Sequence, residues 1–313
     1  MRRSRTGARA SQGAALTLVL GVLVGCPQLL DDAFQVQAES PEAGLSGNPE
    51  PARPGPDAGG PTPLTGPDRE KARAELHTLL AHRYDFAGRG NTVLDSIGTA
   101  HGTSVGVSLD GSGKLSLSGT DQYVDLPNGL ISKLESVSIE CWVNWAGNSG
   151  PSSRDAIAGW QSLFTFGSSD QGEGRVGNGT RYIYLTPQPA SSFGSNVRAG
   201  YSLTGFSSES FVSGSQPLPV SADPGRGTQV VYVLDSVQNR LAIYIDGKLE
   251  IGAPSSQQID LSAIPDVNNW LGRSLFTTGT SFQGELLDVR IYGVALEAKQ
   301  VENSFELGPD ALL

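Results

Sequence analysis

The stretch SVSIECWVNW, Ser136 to Trp145, constrains the fold more than any other ten residues of this chain. Successive side chains of a strand point to opposite faces. Val137, Ile139, Cys141 and Val143 therefore share one face, and Glu140, Trp142 and Asn144 share the other. An apolar face of that kind has to be buried against a second layer. From His82 onward similar short segments recur, separated by Gly, Ser, Asn and Asp turns. The spacing predicts strands at 103–108, 114–118, 122–126, 136–145, 162–167, 181–185, 198–203, 229–235, 241–246, 270–273 and 286–292. Asp246-Gly247, between the apolar runs of AIYIDGKLEI, is the strongest short hairpin signal. Many short strands with no helix between them predict an all-β sandwich or barrel rather than a parallel sheet. The segment 82–308 is long enough to bury a core without disulfide staples.

The ends differ in texture. A short helix is expected at 68–81, capped by Asp68, with Ala72, Leu76, Leu79 and Leu80 at helical spacing. A closing helix is expected at Glu297–Phe305, followed by a tail at 309–313. Upstream, the 28 residues from Pro41 to Asp68 hold eight prolines, six glycines and no aromatic residue. Such a segment cannot bury enough apolar surface to offset its ordering entropy, so 26–67 reads as an extended, disordered tether. Residues 1–25 read as a signal peptide. Arg2, Arg3, Arg5 and Arg9 precede an apolar run, Ala14–Val24, that is too short to cross a bilayer. Removing those four arginines leaves 18 basic against 32 acidic residues, a net charge of −14. A chain so acidic is repelled by nucleic acid and by anionic headgroups, and no nucleic-acid partner is expected.

Cys26 follows a small residue at the end of the apolar run. Leu23-Val24-Gly25-Cys26 resembles the bacterial lipobox. That resemblance implies cleavage before Cys26, a thioether-linked diacylglycerol on its sulfur and an acylated new amino terminus. Two or more acyl chains hold a protein at a membrane without a transmembrane helix. The expected location is the bacterial cell envelope, at the outer membrane or cell surface, with the lipid as the only membrane contact. Cys141 then has no partner, and no intrachain disulfide is expected.

The strand region carries a recognisable succession. HRYDFAGRGNTVLDSIGTAHGT opens it. GTDQYVDLPNGLISKLESVSIECWVNW follows, then AIYIDGKLEI, DVNNWLGRS and FQGELLDVRIYGVAL. In this order the motifs resemble the LamG-like jelly rolls of the concanavalin A-like lectin and glucanase superfamily, over about 82–308. The resemblance implies a two-sheet antiparallel jelly-roll sandwich with one concave sheet. It leaves function open, because that fold hosts lectins, adhesion modules, glycanases and structural domains.

Glycoside hydrolysis needs two carboxylates on one bond, roughly 5–9 Å apart. The laminarinase-type relatives place theirs as E-x-D-x-x-E. Here Glu285-Leu-Leu-Asp288-Val-Arg290 has its acids three apart, on opposite sides of a regular strand, and lacks the third. Ser221-Ala-Asp223-Pro-Gly225 begins like a sialidase Asp-box but has Thr228 where the motif has Trp. No metalloprotease motif surrounds His77, His82 or His101, and no nucleophile elbow stands in a strand-to-helix context. No catalytic residue is assigned.

In some relatives two acidic regions meet on a structural calcium. The residues here that match are Asp95, the Gly98 carbonyl and Asp288, with Leu287 in place of a further acid. Oxygen ligands of that kind suit the hard cation. The ordinary reading is a turn aspartate and a strand-end acid. For a sugar, an aromatic face beside amide and carboxylate groups is needed. Three clusters qualify: Trp142 with Glu140 and Asn144, Tyr182 with Tyr184, and Asn269 with Trp270. Each is equally a packing pattern, since Trp is highly buried on average. The loops 147–153, 168–178 and 187–195 are long, and such loops carry function more often than strands do. The sequence thus points to a lipid-anchored, non-catalytic envelope protein that binds glycan. A structural or protein-adhesion module without a sugar site is the alternative, and a glycoside hydrolase is less favoured.

Overall fold

A computed structural model of the chain describes residues 64–148, 160–190 and 193–309. Residues 1–63, which hold the expected signal peptide, Cys26 and most of the expected tether, lie outside the described residues, as do 149–159, 191–192 and the last four positions. In chain order the elements are α1 (Gly66–Leu79), β1 (Leu80–Tyr84), β2 (Arg89–Gly90), β3 (Thr92–Val93), β4 (Gly102–Val105), β5 (Leu109–Asp110), β6 (Leu115–Ser118), β7 (Tyr123–Leu126), β8 (Val137–Trp145), β9 (Gln161–Ser162), β10 (Phe164–Ser169), β11 (Gly179–Thr186), β12 (Arg198–Ser202), β13 (Ser210–Ser213), β14 (Thr228–Asp235), β15 (Arg240–Ile245), β16 (Lys248–Pro254), β17 (Asn268–Leu271), β18 (Thr280–Ser281), β19 (Gln283–Tyr292) and α2 (Ala298–Leu307).

Two antiparallel sheets make the sandwich. One is seven-stranded, ordered β1-β19-β8-β14-β15-β16, with β6 also on β19. The other is eight-stranded, ordered β13-β12-β11-β10-β17-β7-β4-β3. Between them lies one continuous apolar core. Val137, Ile139, Cys141 and Val143 of β8 enter it with Val230 and Tyr232 of β14, and meet Phe164, Phe166, Ile183 and Leu185 from the opposite sheet. The alternation read from SVSIECWVNW is therefore realised. The hairpin at Asp246-Gly247 is realised too, with φ of +47° and +77° joining β15 to β16.

Both helices cover the outer face of the seven-stranded sheet. Ala72 and Leu76 of α1 and Val301 and Leu307 of α2 pack with Val231, Val233, Ala242 and Tyr244. Helix α1 begins two residues before the expected start. Thr65 is its N-cap and Pro67 sits in the first turn, where no N–H is needed. It ends at Leu79, because Leu80 and Ala81 already belong to β1. Strand β1 was not expected, since LAHRY is too polar to read as a strand. Its Arg83 is nonetheless buried, because it is ion-paired. Helix α2 starts at a reciprocal cap between Glu297 and Gln300, and Gly308 follows its last turn.

A bulge in β19 corrects one expectation. Leu286 pairs with Val143 and Asp288 with Trp142, so Leu287 is the extra residue. Glu285 and Asp288 therefore lie on the same outer face rather than on opposite ones. They still do not converge. Glu285 bonds Lys114 and Asn144, whereas Asp288 is buried against two arginines.

Candidate functional site: an aromatic pocket on the eight-stranded sheet

The outer face of the eight-stranded sheet is built by alternation. In β10, Phe164 and Phe166 enter the core, so Thr165 points outward. It stands between Tyr184 of β11 and Trp270 of β17 in the ladder. Tyr182 and Tyr184 share that face, and Gly200 of β12 lies opposite Tyr184. A Cβ on Gly200 would stand 2.4 Å from the Tyr184 ring, so only glycine leaves the ring this position.

Above this floor is a cavity of about 240 Å³. Trp160, Phe193, Phe206 and Phe276 form its walls, Tyr184, Thr165 and Ser162 line it from the sheet, and Glu209 adds one carboxylate. The rings meet edge to face. Trp160 lies 5.4 Å from Phe193 and 6.0 Å from Phe206, each at 72°, and Phe193 meets Phe206 at 88°. Phe193 and Phe206 remain substantially exposed.

Glu209 is fixed from three sides. Oε1 accepts from the Tyr184 hydroxyl at 2.6 Å and from Arg198 Nη2 at 2.7 Å, and Oε2 accepts from the Tyr182 hydroxyl at 2.8 Å. Burial, reinforced by the Glu209 charge, pushes both phenols well above their usual range, so they stay protonated donors. The Arg198 guanidinium also lies over Phe211 at 3.5 Å and over Trp160 at 5.3 Å. Glu209 is the single carboxylate among the described lining residues. Two-carboxylate hydrolysis has no second partner there.

The expected sugar clusters separate. Tyr184 lines the cavity and Tyr182 supports it, packed edge-on against Phe276 at 5.4 Å. Trp270 belongs to the same aromatic layer but is fully buried. It donates to Asp125 at 3.0 Å, and Arg273 covers its ring at 4.1 Å. Asn269 faces inward and donates to the Pro127 and Asp266 carbonyls, so it is removed from any surface site.

The Glu140–Trp142–Asn144 expectation is corrected by burial beneath α2. Glu140 is fully buried and accepts from Trp142, Gln229, Arg290, Tyr292 and Ser304. Phe305 of α2 stacks on the Trp142 ring at 6.0 Å with an interplanar angle of 2°, which closes the face a pyranose needs. Asn144 donates to Glu285 and to the Pro224 carbonyl.

The calcium residues do not fit a cation. Asp95 Oδ1 accepts the backbone N–H groups of Arg83 and Ile97, and Oδ2 accepts from Ala100 N–H and pairs with His82 at 2.8 Å. The Gly98 backbone N–H also helps hold this carboxyl below its ordinary value. Asp288 is flanked by Arg83 at 2.7 Å and Arg290 at 2.8 Å. Arg83 joins the two regions instead, its backbone N–H bonded to Asp95 and its guanidinium to Asp288. Burial pushes the Asp288 carboxyl up, and the two guanidinium groups oppose that push.

The walls were missed by sequence reasoning because they come from loops. Trp160, Phe206 and Phe276 were not singled out, although Phe193 lies in the 187–195 loop. A signal existed: SSFGSN, GFSSES and LFTTG each place one phenylalanine among small polar residues, where nothing local buries it.

This fold has known counterparts. Domain 4 of AbnA, a GH43 extracellular arabinanase from Geobacillus stearothermophilus, in complex with arabinotriose, is 21% identical. It aligns over 72% of this chain and 97% of its own with a TM-score of 0.51. The CBM40 of Ruminococcus gnavus IT-sialidase bound to α2,3 sialyllactose is 16% identical over 60% of this chain and 94% of its own, with a TM-score of 0.42. At these identities the likeness bears on fold alone. No curated protein matches the chain. The Laminin_G_3 family model matches residues 118–302, more than half of the chain and both sheets of the sandwich. The chain therefore belongs to the concanavalin A-like lectin/glucanases superfamily.

Proposed function

We propose that the chain is a non-catalytic glycan-binding protein of the bacterial cell envelope, held there by lipid on Cys26. The observation that carries the reading is the pocket. Exposed aromatic rings surround it, and hydroxyls, one amide and one carboxylate line it. Aromatic faces pack on the C–H groups of a sugar ring while the polar groups bond its hydroxyls. The cavity is smaller than the roughly 300–1,000 Å³ typical of sites for drug-sized ligands. It suits one sugar residue of a longer chain. The fold it shares with an arabinotriose-bound domain is in keeping with this reading. For the anchor, support comes from the arginine-rich start, the apolar run and Leu23–Cys26.

The test is binding of the purified protein to a broad glycan panel. We expect at least one glycan to bind, and Trp160→Ala to weaken it about tenfold or more, as a central aromatic contact does. No glycan bound across the panel would overturn the reading in favour of a protein partner. For the anchor, Cys26→Ser should abolish labelling of the cellular protein by radioactive palmitate. Labelling that survives the substitution would refute it.

A further inference from the structure

Resting on the reading of this pocket as a glycan site, we propose that it selects an N-acylated sugar. The acyl methyl group enters the aromatic box, and the amide carbonyl accepts a hydrogen bond from Thr165 Oγ1.

Ring geometry is the first argument. A flat sugar face wants coplanar platforms. Here Trp160, Phe193 and Phe206 stand at 72–88° to one another, which encloses a compact group from several sides. A methyl group fills such a box with dispersion contacts on each wall.

Charge is the second. An aromatic box also suits a cation, but this one already has its own. Arg198 lies over Trp160 and is paired with Glu209, the single carboxylate among the described lining residues. Among the described residues the pair leaves no net negative charge to draw a cationic ligand.

The third is an orphaned hydroxyl. Thr165 is 2% exposed and lines the pocket, yet its Oγ1 has no hydrogen-bond partner among the described residues. A buried hydroxyl without a partner is costly, and a ligand carbonyl would satisfy it. Glu209 offers the complementary acceptor. Its Oε2 takes one bond, from Tyr182, and has lone-pair capacity for an amide N–H. An amide meets both groups, whereas an acyl ester meets only Thr165.

The experiment uses glycans matched except at one substituent: tri-N-acetylchitotriose, its de-acetylated glucosamine trimer and cellotriose, together with N-acetylgalactosamine and galactose glycosides. The full protein is titrated with each. We expect an acetamido member to bind about tenfold or more tightly than its hydroxyl counterpart. Thr165→Val removes the hydroxyl at constant shape. It should cut that preference roughly five- to tenfold and leave the thermal midpoint equal or higher. Matched members binding within twofold would overturn the proposal. So would a folded Thr165→Val protein with its preference intact. If the tightest ligand of a broad panel has no N-acyl group, this inference fails and the glycan reading stands. If no glycan binds, both fall.

Discussion

The outer faces of the two sheets are made from the same materials and do different things. On the seven-stranded sheet, Trp142 donates to Glu140 and an arginine pairs with that carboxylate. On the eight-stranded sheet, Tyr182 and Tyr184 donate to Glu209 and an arginine pairs with that one too. The difference is what lies on top. Helix α2 brings Phe305 onto Trp142 and Ser304 onto Glu140, and the first face becomes a second core. The other face is walled by phenylalanines from loops and stays open as a pocket. An aromatic–carboxylate pair on a strand is thus a building unit, and its cover decides whether it is sealed by a helix or left open as a pocket.

Arg290→Met should break the comparison most severely. It removes the arginine paired with buried Glu140 and leaves Asp288 with Arg83 alone, since Arg290 bonds both. Removing one partner of a buried charge network costs about 3–5 kcal/mol. Urea unfolding should show a loss of that size. A loss below about 1 kcal/mol would mean that the closed face is not held by these charges.

Gly200→Ala acts on the open face. The new Cβ meets the Tyr184 ring at 2.4 Å and the Glu209 carboxyl carbon at 3.1 Å, so the pocket floor must shift. Overpacking of this kind costs about 1–3 kcal/mol. Stability should fall by that amount and glycan binding should weaken with it, as a titration of the same preparation would show. Binding that stays at the wild-type level would detach the tyrosine–Glu209 floor from the ligand site.

The smallest effect concerns acid. Burial pushes the Asp95 carboxyl up, but His82 and the backbone N–H groups of Gly98, Arg83 and Ile97 outweigh it and hold it below its ordinary value. A carboxyl lowered in the folded state contributes stability in full above the unfolded pKa of about 3.9. That contribution is lost as pH falls through the lower folded value. Thermal midpoints measured from pH 6 down to pH 2 should drop, and Asp95→Asn should flatten the decline. An equally steep decline in the variant would assign the acid sensitivity to other groups.

How much of this was legible follows the same division. The two-faced strand Val137–Trp145, the Asp-Gly hairpin and the closing helix were readable, because each is a local pattern whose period or turn chemistry states its own conformation. The occupant of an outer face was not. Trp142 and Tyr184 look alike in sequence, and only the return of residues 298–307, some 150 positions later, separates them. Asp95 and Asp288 looked like calcium ligands because a carboxylate pattern does not reveal its cation. Arg83, lying in a strand too polar to anticipate, supplies it for Asp288, and for Asp95 the partners are His82 and backbone N–H groups. The Leu287 bulge inverted a facing argument for a similar reason, since alternation cannot show where a strand gains a residue.

Helix α1 lies on the outer face of the seven-stranded sheet, so the chain enters the domain from the side away from the pocket. A ligand gripped by Trp160 and its neighbours, and a pull on the residues before Gly66, would therefore load the domain through its thickness. The pull reaches the sheet at Leu80, the first residue of β1, and tends to peel that strand from β19. Three positions further in, Arg83 is held by its backbone N–H to Asp95 and by its guanidinium to Asp288. Under such a load the buried ion pair would act as a mechanical stop, a rivet between β1 and β19.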